Sequence, residues 1–124
     1  MSKPVVGIIG NLLLVENRFP AQTVGERNLR AVAEVADALP LMFAGKPDIT
    51  DIGSLLDTVD GILRTGARAN VHPNRFGLDP HPKHEPYDND RDALALALVE
   101  ACVERSVPVF DICRGFQEMS VAFG

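Results

Sequence analysis

No cluster of lysine or arginine occurs in this 124-residue chain, and its 12 basic residues are outnumbered by 17 acidic ones, for a formal charge of −5 and a pI near 5.1. A nucleic acid is therefore not an expected partner. Long apolar runs are missing as well. The longest near the start, residues 4–15, is broken by Gly7, Gly10 and Asn11. It is too short to cross a bilayer and follows no basic segment with a cleavage site, so neither a membrane span nor a signal peptide is expected. Cysteine is scarce: Cys102 and Cys113 are the two present, in segments that read as a helix and as a strand-to-helix turn. That is not the framework of a secreted disulfide scaffold, and a reducing cytoplasm is the expected setting. No repeat with a period of about 20 to 50 residues is present, which excludes solenoids and propellers. What is there, 46% apolar, 23% charged and 6% aromatic residues, is the composition of one soluble globular domain. A chain of this length buries roughly two-thirds of its unfolded surface, enough for one core and not for two.

Short apolar runs alternate with longer amphipathic ones. Residues 5–9 form a continuous apolar run closed by Gly10 and Asn11, as expected of a strand buried on both faces of a parallel sheet. Over residues 22–38, Val24, Leu29, Val32, Val35 and Ala36 recur at three- and four-residue spacing between Glu26, Arg27, Arg30, Glu34 and Asp37. This predicts an amphipathic helix stopped by Pro40. A second short strand is expected at 41–44, a short helix at 52–56 behind a Thr50 or Asp51 cap, and a third strand at 59–63. Met42 and the phenylalanines are expected to pack in the core or under loops. Residues 67–89 hold prolines, histidines, Gly77 and several Asx residues without an apolar period. They predict a long irregular loop, a type of segment that in compact domains is usually functional or mobile. A second long helix is expected over 91–105, capped by Asp88, Asn89 or Asp90, with Leu94, Leu98, Ala101 and Cys102 along one stripe. A fourth strand is expected over 107–112. The alternation of strand and helix predicts an α/β fold, a parallel sheet with helices on both faces and right-handed crossovers. In such sheets chemistry gathers at the carboxyl ends of the strands.

The segment Asp111-Ile112-Cys113-Arg114-Gly115 follows an apolar strand directly and leads into an amphipathic helix start, Phe116-Gln117-Glu118-Met119. A cysteine at such a tight turn is lifted above the sheet edge, and a glycine two residues later lets helix and strand pack closely. A helix amino terminus lowers a thiol pKa and favours the nucleophilic thiolate. The backbone N–H of Arg114 follows the thiol directly and is placed to receive an oxyanion. A buried structural cysteine at a strand end is the competing reading of the same pattern.

Ile112-Cys113-Arg114-Gly115-Phe116-Gln117-Glu118 resembles the elbow of the class I glutamine amidotransferase-like superfamily, most closely that of the γ-glutamyl-γ-aminobutyrate hydrolase family. Val59-Asp60-Gly61-Ile62-Leu63 followed by Thr65-Gly66-Ala67 looks like that family's strand and glycine turn. Asn70 to Pro73, with Phe76-Gly77, is similar to its substrate-side loop, and Arg91-Asp92 fits the start of its following helix. The resemblance implies a flavodoxin-like α/β fold of which residues 1–124 form the amino-terminal part, ending soon after the elbow. It implies a thiol hydrolase of γ-glutamyl amides with no cofactor. Cys113 attacks the γ-carbonyl, the N–H groups of Arg114 and of the Gly66–Ala67 turn hold the oxyanion, and Asn70 and His72 lie on the substrate side. In the family the base is a histidine followed closely by a carboxylate, both well beyond the elbow, and this sequence runs only to Gly124. His72, His81 and His84 of the long loop are the histidines present, and they lack the cysteine or carboxylate set of a zinc site.

Two charges depart from the family pattern. Asp111 stands two residues before the thiol, where a small residue is usual, and Arg64 ends the third strand, where an apolar side chain is expected. An isolated buried charge is costly. The third and fourth strands are therefore expected to be neighbours, with Arg64 and Asp111 paired across them. Beside Cys113, Asp111 would raise the thiol pKa and Arg64 would oppose that shift. Ser120, where the family often carries asparagine, has no assigned consequence, Glu16 reads as an exposed loop carboxylate, and Cys102 as a small hydrophobe on its helix stripe. Against the hydrolase stands a reading of a different class: a catalytically silent chain acting through self-association or through a complementing partner chain.

Overall fold

Val5–Ile9 (β1) is the strand around which the chain is arranged. The computed structural model describes residues 2–65, 72–79, 87–112 and 120–123. β1 pairs in parallel with Leu39–Phe43 (β4) on one side and with Gly61–Arg64 (β5) on the other. β5 in turn pairs in parallel with Val109–Asp111 (β6), so the sheet order is β4-β1-β5-β6. Glu26–Arg30 (α1) continues as a π-helical turn over Ala31–Val35 and packs Val32 onto one face, against Ile8 and Leu63. Ile52–Thr58 (α2) and Asn89–Glu104 (α3) cover the other face, where Leu55, Leu56, Leu98 and Cys102 meet Ile62, and Leu94 and Ala95 meet Ile9. Helices on both faces of a parallel sheet make this an α/β, flavodoxin-like arrangement.

Alternation along a strand decides which residue meets which helix. In β5, Ile62 belongs to the core beneath α2 and α3, and Leu63 to the core beneath α1. Arg64 therefore turns to the α3 face, into the interior. The helices start where their side chains supply caps. Asp51 accepts hydrogen bonds from the Ser54 N–H at 2.9 Å and from its hydroxyl at 2.7 Å, and these hold its carboxyl below the usual range. Asp88 accepts from the Arg91 N–H at 3.0 Å at the start of α3.

The amino-terminal third departs from the expected pattern. Asn11–Val15 (β2) and Phe19–Thr23 (β3) form an antiparallel hairpin rather than a loop leading into a helix. Its turn places Glu16 and Asn17 at positive φ, 52° and 56°, the handedness that matches the twist of paired strands. Because Phe19–Thr23 are paired in the hairpin, the helix begins at Glu26 and not at residue 22. The helical segment ends at Val35 with Ala36 as its cap; Asp37 beyond it has a φ of 52°, and the Ala38 N–H donates to the Val32 carbonyl at 3.1 Å. Pro40, expected as the stop, lies instead inside β4, the sheet edge, where a missing N–H is tolerated. Met42 and Phe110 are exposed on the sheet rather than packed in a core.

At the carboxyl ends of β1 and β4 the backbones approach closely. A Cβ built on Gly45 would stand 2.4 Å from the Gly10 carbonyl oxygen, whereas one on Gly53 in α2 would make only an ordinary 3.7 Å contact. Gly45→Ala is expected to destabilise the chain by about 1–3 kcal/mol through backbone displacement. Gly53→Ala is expected to stabilise it by about 0.5–1 kcal/mol through helix propensity. Urea unfolding of the two variants checks this pair of opposite signs.

Candidate functional site

The carboxyl ends of β1, β5 and β6 are joined by charged side chains that are out of water. Arg64, Arg91 and Asp92 have no exposed surface. Arg64 grips Asp111 with two parallel hydrogen bonds, Nε to Oδ1 at 2.6 Å and Nη2 to Oδ2 at 2.8 Å, and its Nη1 donates to the Ala95 carbonyl of α3 at 3.1 Å. The two residues are direct partners in the β5–β6 register, and the ladder is continued by the Ile112 N–H donating to the Arg64 carbonyl at 2.9 Å. The pairing expected from two isolated charges is thus present, in the bidentate form in which Arg–carboxylate contacts are strongest and most directional.

A second cluster surrounds the start of α3. The Arg91 guanidinium donates from Nη2 to the Thr65 carbonyl at 2.7 Å and from Nη1 to Asn11 Oδ1. Asp88, capping the same helix, also accepts from the Leu12 N–H at 3.2 Å. Asp92 accepts from the His72 N–H at 2.9 Å, which fastens the loop after β5 to the helix. One helix end thereby holds the root of the hairpin, the end of β5 and part of the long loop. Thr65 Oγ1 is buried with no hydrogen-bond partner among the described residues.

His72 lies in the loop with its ring 4.6 Å from that of Tyr87, and its Nδ1 accepts from the Asn74 N–H at 3.2 Å. Cys113, Arg114, Gly66, Ala67 and Asn70 lie outside the described residues, as do His81 and His84. Glu16 is exposed at the hairpin tip, and Ser120 is exposed. Among the described residues no group of three or more His, Cys, Asp or Glu is placed to hold a metal, and no helix is long and apolar enough to cross a membrane.

In the sequence, Arg91 stands out only as a family match and Asp88 only as one of three cap candidates. The signal for Arg91 was available: it precedes Leu94, Leu98 and Cys102 at helical spacing, so it continues the buried stripe and requires interior acceptors. Asn11, read as a strand end, carried no comparable signal, because its partner is 80 residues away.

Cys102 is fully buried in α3. Burial pushes its thiol above the ordinary value of 9.0; Arg64 opposes the shift, and Asp111 adds to it. A thiol whose folded pKa is raised contributes stability that is complete below the unfolded value and is lost as pH rises through the folded one. Unfolding free energy is therefore expected to fall above roughly pH 9, and Cys102→Ala to remove part of that fall in denaturation series across alkaline pH. For the ion pair, Arg64→Leu or Asp111→Ala alone is expected to destabilise by about 3–5 kcal/mol, since each leaves a buried charge without its counterion. The double replacement is expected to lie within about 1–2 kcal/mol of the unmodified chain, because an apolar pair removes both desolvated charges. Chemical denaturation of the three variants gives the comparison.

A family model described as Peptidase C26 matches residues 4–124. The gamma-glutamyl-gamma-aminobutyrate hydrolase of Escherichia coli is 36% identical over 131 aligned residues, which take in 100% of this chain and 48% of the hydrolase. The protein of the same name from Shigella flexneri is 34% identical, with the same shares covered. A putative glutamine amidotransferase of Mycobacterium tuberculosis is 29% identical over 126 residues, 99% of this chain and 41% of its own. The chain spans about half the length of these curated relatives. With the model match running almost from end to end over a parallel sheet of this order, the chain belongs to the peptidase C26 family of class I glutamine amidotransferase-like domains.

Proposed function

We propose that this chain is the nucleophile-bearing, amino-terminal part of a thiol hydrolase of γ-glutamyl amides, with Cys113 as the nucleophile. The observation that carries the proposal is the β5–β6 register. It sets Arg64 beside Asp111 at the carboxyl edge of the sheet, and the oxyanion turn Gly66–Ala67 and the thiol Cys113 follow these two residues at the same short interval in sequence. Relatives named as γ-glutamyl-γ-aminobutyrate hydrolases support the substrate class.

In this reading the Cys113 thiolate adds to the γ-carbonyl carbon, and the N–H groups of Arg114 and of the Gly66–Ala67 turn receive the oxyanion. Collapse of that intermediate breaks the C–N bond, the amine leaves with a proton, and a γ-glutamyl thioester remains on Cys113. Water then adds to the thioester and releases glutamate and the free thiolate. A histidine with a nearby carboxylate, the base that the family carries well beyond the elbow, supplies and removes the protons. Asn70 and His72 meet the substrate, no cofactor or metal takes part, and the reducing cytoplasm keeps the thiol free.

A second reading rests on a different observation. Leu41 and Met42 on the β4 edge, Phe110 in β6 and Ile112 just after it are exposed, and a cavity of about 410 Å³ between the α1 face and β5–β6 has Val6, Val32, Leu63 and Phe110 in its walls. Such open apolar surface favours a chain that works through a second copy or a complementing partner.

Incubation with γ-glutamyl-γ-aminobutyrate, followed by peptide mass mapping, tests the first reading. A single γ-glutamyl adduct on Cys113, absent in Cys113→Ser, is the expected result. A Cys113 that takes up neither this substrate nor an activated γ-glutamyl anilide sinks it. Sedimentation of the same sample addresses self-association in the second reading, for which a species of one chain at all concentrations is the contrary outcome.

A further inference from the structure

In sequence, Arg64 and Asp111 each stand two residues before one half of the proposed reaction centre. In the register Arg64 faces Asp111, Gly66 follows Arg64 by two residues, and Cys113 follows Asp111 by two. Two residues of chain reach at most about 7 Å, so the separation of β5 and β6 at this level sets the starting points of the oxyanion turn and of the elbow. A guanidinium fork on a carboxylate fixes both a distance and a plane, and here both side chains are nearly or fully out of water. The third contact, to the Ala95 carbonyl, references the same level to α3. Net stability does not account for such a pair, because apolar side chains of similar volume generally serve a core as well or better.

We propose that Arg64 and Asp111 are positioning residues for the thiol reaction: their ion pair sets how far the oxyanion turn lies from Cys113. The inference rests on the hydrolase reading above, and its test separates the two. In the full chain, Arg64→Leu/Asp111→Ala and Arg64→Lys are compared with the unmodified sequence by thermal unfolding. Acylation of Cys113 is followed against the concentration of a γ-glutamyl anilide. Alkylation of Cys113 by iodoacetamide is followed by peptide mapping, with buried Cys102 as the internal reference for native packing.

The double variant is expected to melt within a few degrees of the unmodified chain and to keep Cys102 protected. Its maximal acylation rate is expected to fall roughly 10- to 100-fold at unchanged half-saturation, the effect of small misplacement of a reacting group, and alkylation of Cys113 to slow severalfold. Arg64→Lys, which keeps the charge and loses the fork, is expected to fall between. A folded double variant that acylates at the unmodified rate overturns the proposal. If the double variant does not fold, Arg64→Lys decides: slower acylation at unchanged half-saturation supports positioning, and an unchanged rate refutes it. If the unmodified chain takes no γ-glutamyl group, the hydrolase reading falls, and alkylation of Cys113 alone judges the pair, with equal rates in all three chains as the refuting result.

Discussion

A guanidinium placed inside a core needs its counterion in reach, and this requirement fixes the register between β5 and β6. Side chains alternate faces along a strand, so a slip of one residue would turn Asp111 away from α3 and leave Arg64 alone in the interior. With the pair formed, Ile62 faces Val109 and Leu63 faces Phe110, and the apolar residues of β5 fall on the two helical layers. Arg64 then reaches past its partner to the Ala95 carbonyl, which sets the height of α3 above the sheet. Register, helix position and the level at which the chain leaves the two strands all follow from one contact.

The second buried guanidinium extends the same logic toward β1. Arg91 lies one helical turn before Ala95 and holds the Thr65 carbonyl and Asn11, while Asp88 and Asp92 take N–H groups from Leu12 and His72. Main-chain groups at the strand ends, which the ladder no longer satisfies, are paired with side chains of one helix. Such an arrangement keeps a sheet edge rigid where irregular segments depart, which suits a family whose chemistry sits at the carboxyl ends of its strands. Pairing nearly all of these groups leaves the Thr65 hydroxyl as the one buried side-chain polar atom without a partner among the described residues.

How much of this could be read from the residues depended on the range of the interaction that decides each feature. β1, α2, β5 and α3 were legible because apolar runs, caps and helical spacing are local. The Arg64–Asp111 pair was legible for another reason: two charges at apolar positions of neighbouring strands have few physically acceptable arrangements. The hairpin was not legible. Leu12, Leu13 and Leu14 do not alternate with polar residues, and Glu16-Asn17-Arg18 lacks the glycine that marks a tight hairpin turn. Its formation moved the start of α1 by four residues, since pairing across β2 and β3 overrides the helical periodicity of Gln22 and Thr23. Asn11 and Asp88 gained their roles from partners 76 to 80 residues away, a separation that no local pattern reports.

The clamp between β5 and β6 carries the rest of the arrangement, and solvent exchange reads it most directly. The Arg64 Nε–H and the Ile112 N–H both lie inside the clamped region. In nitrogen-resolved NMR at neutral pH, both are expected to exchange as slowly as the amides of Ile8 and Ile62 in the central strands. Exchange of the Arg64 Nε–H at the rate of an exposed arginine such as Arg30, with the central strands still protected, would contradict a closed clamp.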